Sequence, residues 1–397
     1  MQIIRLNRII CRVWIERLLQ PAAAKLAAQR PALLVTGARQ SGKTALVQRV
    51  FPKHRYVSLD LPSEAEQAER APSAFLERHG SPLIIDEVQY APSLFRHLKS
   101  RIDQQRQTNG QLILTGSQPF PLMQGVSESL AGRIGLLELE GLSFSEVRGR
   151  AADLDPVAFA HRGAFPELWS KPELDADAYY RGYVATYLER DVRSVLNVSS
   201  LRDFERFLRA CALRSAQVLN KAELARDVGI SPSTAGQWLS VLAASDQLYL
   251  LEPWFSNRTK SLVKSPKLYI NDSGLLCFLL GVANPKELLG SPFAGAIWET
   301  LVCGELRRQL RFGTRPGQLF YYRDRTKEVD FLIHRGGRFE LYEAKSAEQP
   351  DVGDVRALDR ISDELGKRNV VRKAVVCRAP NVYPLGESAL ALPLVDV

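Results

Sequence analysis

The sequence predicts a multidomain α/β protein. Its N-terminal part reads as a P-loop parallel sheet with helices on both faces. A helical middle with a winged-helix pattern follows, and then a second α/β domain. Three observations predict this. Short, fully apolar strands alternate with helical stretches up to about residue 140. A glycine-rich phosphate-loop pattern sits between one such strand and a helix. From about Phe293 the chain returns to alternating helix and strand signals after a long helical stretch.

The elements follow in order. A helical lead-in is expected from Ile9 to Arg30, then a strand at Ala32–Thr36, a helix at Gly42–Val50 and a strand at Tyr56–Leu59. A polar helix from Ser63, a strand at Leu83–Ile85, a helix at Phe95–Gln105, and strands at Leu112–Leu114 and Ile134–Leu139 complete the first domain. The expected divisions are 1–142, a helical segment 143–215, a winged-helix-like domain 216–290, and a last domain 291–397.

The totals fit this organisation. A chain of 397 residues with 45% hydrophobic and 24% charged residues is globular and too long for one ordinary core. No apolar run reaches the roughly 20 residues of a membrane span, so no membrane partner is expected. Arg5, Arg8 and Arg12 interrupt any signal-peptide core, which points to the cytoplasm. Five isolated cysteines and five histidines without ligand spacing speak against a disulfide framework or a zinc site. The net charge of +9 is uneven. Glu16 is the only acid among the first fifty residues, against nine Lys and Arg, and Phe255–Lys267 is acid-free with Arg258, Lys260, Lys264 and Lys267. Such patches favour polyanions, DNA among them.

The most specific motif is Gly37-Ala38-Arg39-Gln40-Ser41-Gly42-Lys43-Thr44. Glycines let backbone N–H groups close around phosphates at a helix N-terminus, Lys43 reaches the β- and γ-phosphates, and Thr44 ligates Mg²⁺. Leu83-Ile84-Ile85-Asp86-Glu87 is a buried strand ending in two acids. Asp86 is expected to hold Mg²⁺, and Glu87 to activate the attacking water. ATP and Mg²⁺ are the cofactors this set requires. A third strand ends in Thr115-Gly116-Ser117, whose hydroxyls can cap the segment that follows.

The stretch Trp14–Glu146 resembles prokaryotic AAA-type ATPases that carry a C-terminal domain of uncharacterised function. The resemblance rests on Thr36–Thr44, Ile85-Asp-Glu-Val-Gln89, Leu114-Thr-Gly-Ser117, Leu130-Ala-Gly-Arg133 and Leu142-Ser-Phe-Ser-Glu146. Gly163-Ala-Phe-Pro-Glu167 and Tyr187-Leu-Glu-Arg-Asp191 extend it over essentially the whole chain. It implies a homo-oligomer, a γ-phosphate-sensing role for Ser117 or Thr115, and a place for Arg133 where such modules carry an arginine finger. An ordinary surface role for Arg133 stays open.

In the middle, Asn220 caps an expected helix at Lys221–Val228, Gly229-Ile230 turns, and Ser231-Pro232 starts a second helix to about Ala243. Strands at Leu248–Leu251 and Leu268–Ile270 would flank a basic wing with Arg258, Lys260 and Lys264. The second helix would expose Ser233, Thr234, Gln237 and Ser240, none of them cationic. The pattern serves either DNA contact or subunit packing.

Near the end, Glu299 lies early in a helix, Asp330 near the start of an apolar strand, and Glu343 and Lys345 alternate on another strand. Asp330, Glu343 and Lys345 resemble the core of the PD-(D/E)xK nucleases, with Glu299 as the helical acid and Val329 where that superfamily has proline. The resemblance implies Mg²⁺ on Asp330 and Glu343 and a water positioned by Lys345. Two functions are compatible with the whole: an ATPase coupled to a DNA-binding, metal-dependent nuclease-like domain, or a nucleotide-controlled switch whose last domain is catalytically inactive.

Overall fold

The computed structural model describes residues 14–117, 129–187, 201–255, 265–312, 316–324 and 327–397. Arg5, Arg8, Cys11 and Arg12, the stretch 188–191, and the expected wing cations Arg258, Lys260 and Lys264 lie outside the described residues. The chain divides into two compact units, one of residues 1–142 with 165–171 and one of 143–164 with 172–397.

In the first unit, helix α1 (Gln20–Gln29) precedes strand β1 (Ala32–Thr36). Residues 14–19 of the expected lead-in are not helical, and 9–13 lie outside the described residues. Among the described residues the helix begins only at Gln20, with Pro21 in its first turn, where a missing N–H does no harm. Helix α2 (Lys43–Val50), strand β2 (Arg55–Ser58), helices α3 (Pro62–Arg70) and α4 (Pro72–His79), strand β3 (Leu83–Asp86), helix α5 (Leu94–Gln104), and strands β4 (Leu112–Gly116) and β5 (Ile134–Glu138) follow. The expected polar helix is two helices, because Pro72 cannot donate into a continuous ladder and restarts the helix after Ala71.

The sheet runs β2-β3-β4-β1-β5, and every pairing is parallel. Its strands are short apolar runs such as Leu33–Val35 and Ile84–Ile85, buried as strands covered on both faces must be. Leu34, Ile85 and Leu114 pack with Phe75 and Phe95 of the flanking helices. The order matters for the site: β4 lies between β1 and β3, so the residues ending β4 sit between the phosphate loop and the acid pair.

The second unit begins with helical segments and then contains helix α6 (Leu201–Ala212), strand β6 (Gln217–Val218), helices α7 (Lys221–Val228) and α8 (Pro232–Ala244), and strands β7 (Leu248–Leu251) and β8 (Lys267–Ile270). Asn220 and Ser231 cap α7 and α8 through their side chains. Strands β6, β8 and β7 form an antiparallel sheet. Trp238 of α8 packs against Phe204 and Phe207 of α6, with ring centroids 5.1 and 5.3 Å apart.

Helix α9 (Ala294–Phe312), strands β9 (Gln318–Arg323), β10 (Glu328–Arg335) and β11 (Arg338–Ala344), helix α10 (Arg356–Leu365), and strands β12 (Val370–Cys377), β13 (Tyr383–Leu385) and β14 (Ala389–Pro393) complete the unit. They build a mixed sheet ordered β13-β14-β12-β11-β10-β9. Leu358 and Ile361 of α10 cover Val329, Leu332, Leu341 and Val375. The Trp298 indole N–H of α9 donates to the Val376 carbonyl at 3.1 Å. The β9–β10 register shifts between Val329 and Leu332. That bulge lets both residues enter one apolar cluster although they stand three positions apart.

Candidate functional site

The loop between β1 and α2 passes through positive φ at Gly37, Gln40 and Gly42. Gly37 has φ 141°, and a Cβ there would lie 2.0 Å from the Leu139 carbonyl oxygen. Gly42 caps α2 at φ 91°, and no side chain caps that helix end, which leaves its backbone donors to an anion. Lys43 is buried, and its ammonium donates to the Gly37 and Ala38 carbonyls at 2.9 and 2.8 Å, so it stands over the loop.

The Thr44 hydroxyl reaches both Asp86 oxygens at 3.0 Å. Parallel β4 brings the Thr115 hydroxyl onto Asp86 Oδ1, and Tyr56 of β2 donates to Asp86 Oδ2 at 2.8 Å. Burial pushes the Asp86 carboxyl up, against the pull of the Thr115, Tyr56 and Thr44 hydroxyls. Thr44 and Asp86 together form a part-buried all-oxygen pair, which fits Mg²⁺.

Glu87 lies just past β3 with φ 56°, an uncommon left-handed conformation for a residue with a side chain. Its backbone N–H donates to the Thr115 hydroxyl at 3.1 Å. Its Oε2 accepts from the Ser117 hydroxyl at 3.0 Å and from the Gln89 amide. Both hydroxyls at the end of β4 are therefore joined to the acid pair, Thr115 to Asp86 and Ser117 to Glu87.

Two residues of this site, Tyr56 and Arg17, carry no sequence signal strong enough to single them out, and Gln89, which closes the Ile85–Gln89 motif, had no role assigned to it. The buried Arg17 guanidinium donates to the Ser41 carbonyl at 2.9 Å and to those of Glu140 and Gly141 at 2.7 and 3.1 Å, bracing the loop from behind. Arg133 precedes β5 as expected, and Asp103 of α5 holds it through two contacts of 2.7 and 3.0 Å.

The second unit gathers Glu299 of α9 and Glu328 and Asp330 of β10 around a residue that sequence reasoning had not joined to them. Lys267, counted there among the cations of an acid-free stretch, is 2% exposed. Its ammonium lies 3.0 Å from Glu299, 2.7 Å from Glu328 and 3.2 Å from Asp330. Burial opposes that charge, but Asp330, Glu299 and Glu328 outweigh it and hold the ammonium above its ordinary range.

The second Asp330 oxygen accepts from the Ala344 N–H at 3.1 Å, and the Tyr269 hydroxyl donates to Glu299 at 2.7 Å. Burial and then Asp330 push Glu299 up to about 7 and Glu343 up to about 8. Lys345 pairs with Glu343 Oε1 at 3.2 Å, while Glu343 Oε2 is buried without a hydrogen-bond partner among the described residues. No three His, Cys, Asp or Glu side chains among the described residues are arranged to hold a metal ion. In this arrangement Lys267 is the cation that Asp330, Glu299 and Glu328 share.

Comparison with known proteins accounts for the chain in three parts. The AAA domain family matches residues 29–148, a domain of unknown function (DUF8612) matches 156–286, and another (DUF4143) matches 294–397. The uncharacterized protein Rv2008c of Mycobacterium tuberculosis is 32% identical over 391 residues, covering 97% of this chain and 85% of its own. The uncharacterized protein Mb2031c of Mycobacterium bovis matches with the same figures. Among solved structures, a Walker-type ATPase of Pyrococcus abyssi is similar at TM-score 0.47 and 16% identity, over 67% of this chain and 96% of that one. The Aeropyrum pernix ORC2 protein in its ADP form is similar at TM-score 0.32 and 16% identity, over 62% and 90%. No helix among the described residues is long and apolar enough to cross a membrane. The chain belongs to the same family as the two mycobacterial proteins, and its N-terminal part carries an AAA-type ATPase domain.

Proposed function

We propose that the protein is a Mg-ATP-driven switch: the first unit binds and hydrolyses ATP, and the second holds DNA without cutting it. The contact of Thr44 with Asp86, beside Lys43 on the phosphate loop, carries the first half. Lys43 binds the β- and γ-phosphates, exchanging loop carbonyls for phosphate oxygens, and Thr44 and Asp86 hold Mg²⁺. The ion, when bound, neutralises charge on the phosphates. Glu87, turned by its left-handed backbone, takes the proton of the attacking water. ATP affinity and phosphate release in Mg²⁺ test this. A chain that binds ATP tightly and releases no phosphate is no hydrolase.

DNA binding is supported by the order α6-β6-α7-α8-β7-β8, a helix-turn-helix followed by a strand pair, which suits a winged helix. Ser233, Gln237 and Ser240 of α8 are exposed and neutral, so phosphate anchoring falls to Arg258, Lys260 and Lys264. The absence of cutting is supported by Lys267, which satisfies the acids from within the chain.

A second reading, metal-dependent cleavage through Asp330, Glu343 and Lys345 with Glu299, is favoured by the unpartnered Glu343 oxygen. Plasmid and single-stranded DNA incubated with the protein, ATP and Mg²⁺ or Mn²⁺ separate the two. Retention without nicking supports the switch, and nicking lost in Glu343→Ala supports the nuclease. A homo-oligomer, with Arg133 completing a neighbour's ATP site, belongs to the same proposal.

A further inference from the structure

The acid pair at the end of β3 is followed by an amide that the roles assigned so far leave unused. Gln89 lies in the single helical turn Val88–Tyr90 and is 8% exposed. Its Nε2 donates to Glu87 Oε2 and stands 3.4 Å from the Ser117 hydroxyl, which donates to the same Glu87 oxygen. A carboxylate accepts and cannot donate, so the nitrogen end of the amide must face Glu87.

The other end is then determined. Gln89 Oε1 is buried, and among the described residues nothing donates to it. A buried carbonyl left unsatisfied is destabilising, which an apolar side chain of the same size would avoid. Glu87 Oε2 already has two donors, and its Oε1 is the oxygen left to receive a proton.

We infer that Gln89 is a further catalytic residue, orienting the attacking water together with Glu87. This rests on the hydrolase reading above. A water molecule has two hydrogens: one points to Glu87 Oε1 and the other to Gln89 Oε1, which turns a lone pair toward the γ-phosphorus. The water oxygen bonds to that phosphorus, and the bond to the bridging oxygen breaks with its electron pair going to ADP. One proton passes to Glu87 and then to the products, so ATP and water give ADP and inorganic phosphate. The amide nitrogen meanwhile keeps the Glu87 carboxylate in place.

The test uses the full chain with two substitutions. Gln89→Met keeps the size and removes donor and acceptor, and Gln89→Glu keeps an acceptor and loses the donor. Affinity is read with a fluorescent ATP analogue in Mg²⁺, turnover by phosphate release, and transition-state complementarity by trapping Mg-ADP with aluminium fluoride. The expectation for Gln89→Met is ATP affinity within about twofold, kcat down roughly 100-fold, and loss of the trapped complex. Gln89→Glu should also fall, since two carboxylates then face each other. Parent-level turnover in Gln89→Met overturns the inference and leaves the hydrolase reading standing. Equal losses of affinity and turnover, with a lowered melting temperature, overturn it in favour of a structural role. A parent chain that releases no phosphate overturns both.

Discussion

Lys267 Nζ lies 3.2 Å from Asp330 Oδ1, so the side chain that closes a basic stretch of sequence is the internal counter-ion of an acid 63 positions later. Lys267 also meets Glu299 and Glu328, and its strand β8 belongs to the small sheet while Asp330 belongs to the large one. Breaking such a buried pair from one side leaves charge uncompensated. Lys267→Met is expected to destabilise the second unit by about 3–5 kcal/mol, read by denaturant unfolding. Unchanged unfolding would mean that water reaches the acids and the cluster contributes nothing.

The two halves of the ATP site separate by variant. Lys43→Ala should abolish tight ATP binding, because its ammonium stands on the loop carbonyls that phosphate oxygens replace. Glu87→Gln should bind ATP as the parent does and lose turnover by roughly 100-fold or more. Phosphate release at the parent rate in Glu87→Gln would assign the water to another residue.

Glu343 carries a titration signature. Its carboxyl is pushed up to about 8 by burial and Asp330, above the ordinary 4.5 expected of the unfolded chain. The folded state therefore binds the proton more tightly, and this group lowers stability progressively as pH rises from about 4.5 to 8. Glu343→Gln should raise the melting temperature more at pH 8 than at pH 5. An equal change at both values would show that the carboxyl titrates in its ordinary range.

DNA retention should fall steeply with salt and depend little on sequence. Replacing Arg258, Lys260 and Lys264 together by Ala should flatten the salt slope by up to about three phosphate contacts. A triple variant that binds DNA like the parent at every salt concentration removes the basic wing from the proposal.

Arg133 must leave Asp103 to reach a neighbouring subunit. Mixing Arg133→Ala with Lys43→Ala chains should restore part of the ATPase activity, since some interfaces then combine an intact loop with an intact arginine. A chain that is monomeric and fully active ends this idea.

The parallel sheet was legible because Leu33–Val35, Leu83–Ile85 and Leu112–Leu114 are short apolar runs that only a two-sided core can bury. Lys43, Thr44, Asp86 and Glu87 were legible because a phosphate-loop pattern and an acid pair follow apolar strands, and the fold sets Thr44 against Asp86. Lys267 was not, since a lysine among cations reads as solvated, and only the fold brings Glu299, Glu328 and Asp330 to it. Nor was the bulge after Val329, which breaks the two-residue period on which strand faces are assigned. Arg17 stayed hidden because the loop contacts it makes are to carbonyl oxygens, which every residue has.

Arg17 has a mechanical consequence. One guanidinium ties the peptide of Ser41, inside the phosphate loop, to those of Glu140 and Gly141, where the chain is about to leave the first unit. Any displacement of the Ser41 peptide is therefore resisted by peptides a hundred positions further along the chain as well as by the loop's own bonds. Lysine in its place would keep the charge but, with a single nitrogen, would slacken the tether.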